Sequence, residues 1–179
     1  MLSAITKSFN KKGFTLIELL VVLGILGILA AALLAAINPV EQLNKAQDTS
    51  LKNTATQFQE GVVQYYSTHN DLPWDGTDPT VPNCYPSGGG TLTGIGLDQL
   101  TPCIDDLVAD GDLKASFKDA ANLKYVFVTN PNPETPTLAS STVSCFAPKS
   151  ASQKSDPLTK FTQSGGACAA GGTCYWCAQ

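Results

Sequence analysis

Glu18 is the residue whose position most demands a chemical explanation. It is the one acid in an apolar stretch, KGFTLIELLVVLGILGILAAALLAAIN over residues 12–38, and it follows closely on a Gly13-Phe14 junction. A carboxylate at the mouth of an apolar helix is unfavourable in lipid and calls for a positive partner, which nothing else in the segment supplies. Six cysteines form a second set: Cys84, Cys103, Cys145, Cys168, Cys174 and Cys177. Aspartates 75, 78, 105, 106, 110 and 112 form a third. His69 is the single histidine, and at a helix end it reads as a cap or packing group rather than a catalyst. Nowhere does the chain assemble a nucleophile, a base and an orienting group, so the expectation is that it is not an enzyme.

The cysteines read first as disulfides, because all six lie in the part of the chain that charge places outside the cytoplasm. Six cysteines allow fifteen pairings, and the sequence does not choose among them. Cys84 with Cys103 is a reasonable pair, since the two flank one Gly-rich loop, and the other four would then staple the C-terminal third. Cys174 and Cys177 have CxxC spacing, but a redox motif should open a helix after a strand. A four-cysteine zinc site drawing on Cys168 or Cys145 is a further alternative. The aspartates lack the alternating spacing of a calcium loop and read as helix-start acids and solvated turns. No metal or other cofactor is expected, with calcium as the one exception to test.

Stepping outward to the elements, residues 19–37 are nineteen consecutive residues without a charge, enough at about 1.5 Å per residue to cross a hydrocarbon core roughly 30 Å thick. Lys7, Lys11 and Lys12 precede the run, whereas from Pro39 onward eight lysines face fourteen Asp and Glu, a formal charge of −6. The positive-inside rule then keeps the N-terminus in the cytoplasm and exports the rest. The chain has no arginine. An acidic, arginine-free exported region is a poor surface for reading nucleic acid, so no sequence-specific nucleic-acid partner is expected. Gly24, Gly27 and the alanines after them leave one narrow flank for close helix packing and mark places where the helix could yield. Pro39 should interrupt the helix near 36–38.

Beyond Pro39 an amphipathic period resumes through Val40, Leu43, Leu51, Thr54, Ala55, Phe58, Val62, Tyr65 and Tyr66, ending near 67–70, and its apolar stripe needs the following domain to pack on. Residues 75–97, with Pro79, Pro82, Pro86 and Gly88-Gly89-Gly90, should form an irregular loop, and the glycine run lacks the ending of a phosphate loop. Thr101-Pro102 is expected to cap a short helix closed by Gly111. Residues 123–129 (LKYVFVT) read as the best strand, with 142–147 and 173–176 as weaker ones. The fold class is α+β: a long N-terminal helix, half apolar and half amphipathic, bearing a small antiparallel sheet head stapled by disulfides.

The run Lys11-Lys12-Gly13-Phe14-Thr15-Leu16-Ile17-Glu18-Leu19 resembles the processing site of type IV prepilins, of type II secretion pseudopilins and of competence pilins. Tyr65, Tyr66 and Pro73 extend the likeness slightly, which otherwise covers about residues 7–70. The resemblance implies cleavage between Gly13 and Phe14 by a prepilin peptidase on the cytoplasmic face, followed by N-methylation of Phe14. It implies that Glu18 of one subunit meets the Phe14 amine of a neighbour during assembly. Such a pair inside an apolar bundle sets register more than it adds stability.

The organisation then expected is a leader over 1–13, a transmembrane or filament-core helix over 14–38, an amphipathic helix over 39–70 and a globular head over 71–179. The implied function is that of a major structural subunit of a type IV pilus-like filament serving adhesion or motility. The alternatives are a secretion pseudopilin and a minor or competence pilin. Implied partners are copies of the chain itself in a helical filament, the prepilin peptidase and an inner-membrane assembly platform. The precursor would sit in the inner membrane with N-terminus in and C-terminus out, and the assembled form on the cell surface.

Overall fold

The computed structural model describes residues 13–36, 38–74, 84, 94–130, 142–169 and 172–178. It divides into two compact units, Met1–Pro39 and Val40–Gln179. In the first, helix α1 spans Leu16–Ala36 and is apolar on every side, the pattern of a helix meant to be surrounded by lipid or protein. It runs continuously through Gly24 and Gly27. The next helix, α2, spans Pro39–His69 and begins on that proline, whose missing N–H costs nothing at a helix start.

The second unit is built on α2. Its inner stripe is fully buried at Ala55, Phe58 and Val62 and nearly so at Leu51 and Tyr65. Val40 and Leu43, which the periodicity places on the same stripe, are 63% and 64% exposed. The packed part of α2 therefore starts later than its apolar pattern does. Gly61 lies inside the helix because a methyl group there would sit 2.9 Å from the Leu113 side chain, which packs against that turn. Helix α2 ends where Asn70 takes a positive φ of 55° and its N–H bonds to Tyr66 O, a conformation asparagine tolerates better than most residues.

The stripe meets a five-stranded antiparallel sheet of order β1-β2-β3-β5-β4, formed by β1 Ile95–Gly96, β2 Val126–Thr129, β3 Val143–Phe146, β4 Thr159–Phe161 and β5 Tyr175–Ala178. Strand alternation sorts the side chains into two layers. Val126, Val128, Phe146, Trp176 and Ala178 join the α2 core, together with Ile104 and Leu107 of helix α3, Thr101–Ala109. On the opposite face Phe127, Val143 and the Cys145–Cys177 disulfide make a smaller cluster, where Phe127 and Tyr175 meet edge to face at 5.1 Å. The α+β class, the apolar N-terminal helix, the antiparallel sheet and the disulfides are all present.

Several local expectations change. The strand over 123–129 is shorter, because Leu123–Tyr125 forms a 3-10 turn and only Val126–Thr129 pairs. All four strand residues are buried, so the alternation does not separate a wet face from a dry one. Thr101 is the first residue of α3 and not its cap: its hydroxyl donates to Asp98 O at 3.1 Å, and Leu100 occupies the cap position. Strand β5 begins at Tyr175, two residues later than expected. Strands β1 and β4 and the short helix α4, Ala151–Lys154, have no counterpart in the sequence reading. The loop expected over 75–97 lies largely outside the described residues, including Asp75, Asp78 and the Gly88–Gly90 run.

Two polar side chains of α2 tie it to the sheet unit. Asp48, 1% exposed, accepts from Lys149 N (3.0 Å), Ser150 N (2.7 Å) and Ser150 Oγ (2.6 Å), fixing the chain as it enters α4. Gln59 donates to Thr142 O at 2.7 Å and accepts from Ser144 Oγ at 3.2 Å, one side chain satisfying two groups at the start of β3. Removing the carboxylate strands two buried donors and one part-buried donor. Asp48→Ala is expected to destabilise this unit by about 3 kcal/mol, with Asp48→Asn intermediate, read as denaturant midpoints by near-ultraviolet circular dichroism. A loss below about 1 kcal/mol for the alanine variant would show that water replaces the carboxylate adequately.

Candidate functional site

Helix α1 opens on a reciprocal cap. Thr15 N and Thr15 Oγ1 each donate to Glu18 Oε2 at 2.8 Å, and Glu18 N donates back to Thr15 Oγ1 at 3.3 Å. This is the Ser/Thr-x-x-Glu capping box, in which two of the helix's unpaired N–H groups are satisfied by the two side chains. Both bonds to the carboxylate use Oε2, and among the described residues none engages Oε1. The acid also sits in the first turn, where the positive end of the helix dipole favours it. Glu18 is thus held in a defined place before any second chain is present.

Around it the surface is apolar and uncovered. Phe14 is 84% exposed and Leu16 83%. Gly13, Phe14 and Thr15 precede the helix and carry no regular secondary structure, so the Gly13–Phe14 bond lies outside the helix. The run Leu16–Leu34 has a mean hydropathy of 2.8 and is long enough to cross a membrane. At Gly24 and Gly27 nothing approaches within 4 Å of where a Cβ would stand, so both present open backbone. Lys7, Lys11 and Lys12 lie outside the described residues.

The other candidate residues fall into structural roles. Cys84 pairs with Cys103, Cys145 with Cys177 and Cys168 with Cys174, and no cysteine is free. The CxxC cysteines are therefore each bonded elsewhere, and the thiolates a zinc site would use are consumed. His69 stacks on Tyr65 with ring centroids 4.1 Å apart, its Nδ1 lies 3.2 Å from Tyr65 O, and its Nε2 lies 3.6 Å from Asp110. Asp105 pairs with Lys118. Among the described residues no three His, Cys, Asp or Glu side chains are grouped so as to hold a metal ion.

Asp112 closes the turn after α3, and its Oδ2 is buried without a hydrogen-bond partner among the described residues. Burial, reinforced by repulsion from Asp110, pushes its pKa up against the opposing pull of His69 and Gln64. Asp106 is raised for similar reasons, by burial and then by Asp110 and Asp105.

One family signature falls on the helix start just described. Residues 8–34 match the prokaryotic N-terminal methylation motif, the signature of type IV pilins and pseudopilins. No curated protein and no solved structure gives a significant match to the chain. The motif supports a type IV pilin-like or pseudopilin protein, a structural and generally non-enzymatic class, without separating the roles within it. It implies processing by a prepilin peptidase and assembly into a filament, and with the apolar α1 it fits a membrane-anchored precursor.

Thr15 is the residue the sequence reading passed over, although Thr-x-x-Glu ahead of an apolar run is itself a signal. Thr15→Val keeps the side-chain volume and removes the hydroxyl. It is expected to speed hydrogen exchange of the first-turn amides of α1 several-fold in micelles, whereas Thr15→Ser leaves them unchanged. Equal rates in all three proteins would show that the box carries no weight there. A second expectation concerns pH. A carboxyl whose folded pKa lies above its unfolded value favours folding below the unfolded pKa and loses that contribution as pH rises through the folded one. Asp112→Asn, which mimics the protonated form, should therefore raise the thermal midpoint at pH 7 and give a smaller gain near pH 4. A lower midpoint at pH 7 would mean that the ionised side chain supports the turn.

Proposed function

We propose that this chain is the major structural subunit of a type IV pilus-like filament. The observation that carries the reading is one acid, held in the first turn of an otherwise uninterrupted apolar helix, directly behind a Gly13-Phe14 junction within the methylation motif. Cleavage after Gly13 converts an amide nitrogen into an amine at Phe14, N-methylation keeps it positive, and the Glu18 carboxylate of a neighbouring copy pairs with it. Oε2 keeps its bonds to Thr15 while Oε1 takes the incoming charge. Either charge alone is unfavourable among apolar side chains, so subunits out of register are rejected.

The apolar α1 helices then form the filament core, and the disulfide-stapled units carrying the sheet form its surface. Gly24 and Gly27 give way if the helix must bend or partly melt as it leaves lipid. The partners in this reading are other copies of the chain, the prepilin peptidase and an inner-membrane assembly platform. The test pairs intact-mass measurement with electron microscopy of fibres sheared from cells. The natural chain is expected to lack residues 1–13, to carry one methyl group on Phe14 and to be the main polypeptide of long fibres. Gly13→Leu should stay uncleaved in the membrane, and Glu18→Ala should be cleaved yet fail to assemble. A retained leader, or Glu18→Ala fibres in normal number, overturns the proposal; short fibres confined to the periplasm reassign the chain to a secretion pseudopilin.

A further inference from the structure

Helix α2 is amphipathic, and one line along its flank is polar without being charged. Gln47, Ser50, Asn53, Thr54 and Gln57 recur at helical spacing over about 15 Å. They form one wall of a cleft of about 760 Å3, within the size range of small-ligand sites. The opposite wall comes from the segment 116–125 and is low at Ala120 and Ala121, where small side chains leave the space open. Leu51 and Phe117 make an apolar floor, and Lys149 closes one end with its Nζ bonded to Gln47 Oε1 at 3.1 Å. Tyr125, 56% exposed, stands at the rim.

The chemistry of this lining is specific. The region beyond Pro39 carries a net −6, yet no carboxylate lines the cleft among the described residues, and its single cation is already bonded to an amide. A cationic ligand finds no carboxylate there, and the ammoniums at the rim are already engaged, Lys149 Nζ with Gln47 Oε1 and 5.9 Å from the Tyr125 ring centroid and Lys124 Nζ 4.9 Å from it, so a ring stacking on Tyr125 displaces a lysine from one face. What the walls offer is carboxamides and hydroxyls, which donate and accept in the same place, together with an aromatic ring that has one apolar face and one polar tip. The wall is also held in place beforehand. Asn122 Nδ2 lies 2.8 Å from Thr54 Oγ1, 3.2 Å from Ser50 Oγ and 3.3 Å from Ser50 O, fixing the two sides relative to each other within this unit. Paired donor and acceptor groups beside an aromatic face suit a ring that bears hydroxyls on its edge and C–H groups on its face. We infer that this cleft binds a neutral oligosaccharide, with Tyr125 stacking on one sugar ring and Asn53 and Gln57 bonding its hydroxyls.

The inference does not depend on the filament reading, because it concerns the sheet-bearing unit alone. The test uses the full chain in a zwitterionic detergent, since sugar-headed detergents would compete. Saturation-transfer NMR and calorimetric titration are run with cellohexaose, chitohexaose, mannopentaose and lacto-N-neotetraose as neutral probes, with heparin hexasaccharide as the charged control and a proline-rich decapeptide as the peptide control. At least one neutral probe is expected to bind, with Tyr125→Ala weakening it about tenfold and Asn53→Ala or Gln57→Ala about fivefold, at unchanged thermal midpoints. All three residues are exposed, so their variants should fold. Ala121→Trp, which fills the cleft from the low wall, should abolish binding. No binding by any neutral probe at about 10 mM, tighter binding of the heparin or peptide control, or neutral binding that survives both Tyr125→Ala and Ala121→Trp overturns the inference.

Discussion

An apolar helix with no covered side cannot be left in water. Every large side chain of α1 is about half exposed or more, from Val22 at 48% to Leu16 at 83%, and no stripe of polar residues offers a wet face. Such a surface requires lipid or other copies of itself, because each buried methylene is worth about 0.8 kcal/mol against water. Between lipid and protein the difference is much smaller, since hydrocarbon tails are as apolar as leucine. Transfer from a bilayer to a helix bundle is therefore nearly balanced in apolar terms. In the proposed filament, shape at the small residues and charge at the helix mouth would tip it.

That balance explains why one carboxylate matters out of proportion to its size. In the single chain the Thr15 cap holds Glu18 in place and uses one of its two oxygens. The helix start thus carries a preset, directional acceptor. The ordering cost of that acceptor is met within the monomer, which leaves less to be lost on association.

The broad plan was legible in the sequence because its signals are long and redundant. Nineteen uncharged residues, a lysine-rich flank and a proline at 39 each point to α1 and its end. The stripe from Leu51 to Tyr65 fixed α2 and its buried face, and the Cys84–Cys103 pairing could be read from the loop the two flank. The sheet was harder. Its strands are two to four residues long and the central β2 and β3 are buried on both sides, so alternation carries little information, and β1 and β4 owe their state to partners distant in sequence. Asp48 shows the same limit in a single residue. It lies in register with the buried stripe, three residues before Leu51 and seven before Ala55, but an acid gives no apolar signal there, and its partners at 149–150 are distant in sequence. Val40 and Leu43 show the converse, apolar by period yet uncovered within their own unit.

Strand order imposes a sequence of events as the chain is made. Strand β4 emerges before β5, but its only ladder among the described residues is with β5, which lies between it and β3. A chain made from its N-terminal end can pair β2 with β3 early, yet must hold residues 159–161 unpaired until 175–178 arrive. Cys145 likewise waits for Cys177, thirty-two positions later, with the Cys168–Cys174 loop emerging in between. A stalled or truncated chain would present an open sheet edge and an unpaired thiol on β3. Both the open edge and the unpaired thiol are closed by one short segment, β5.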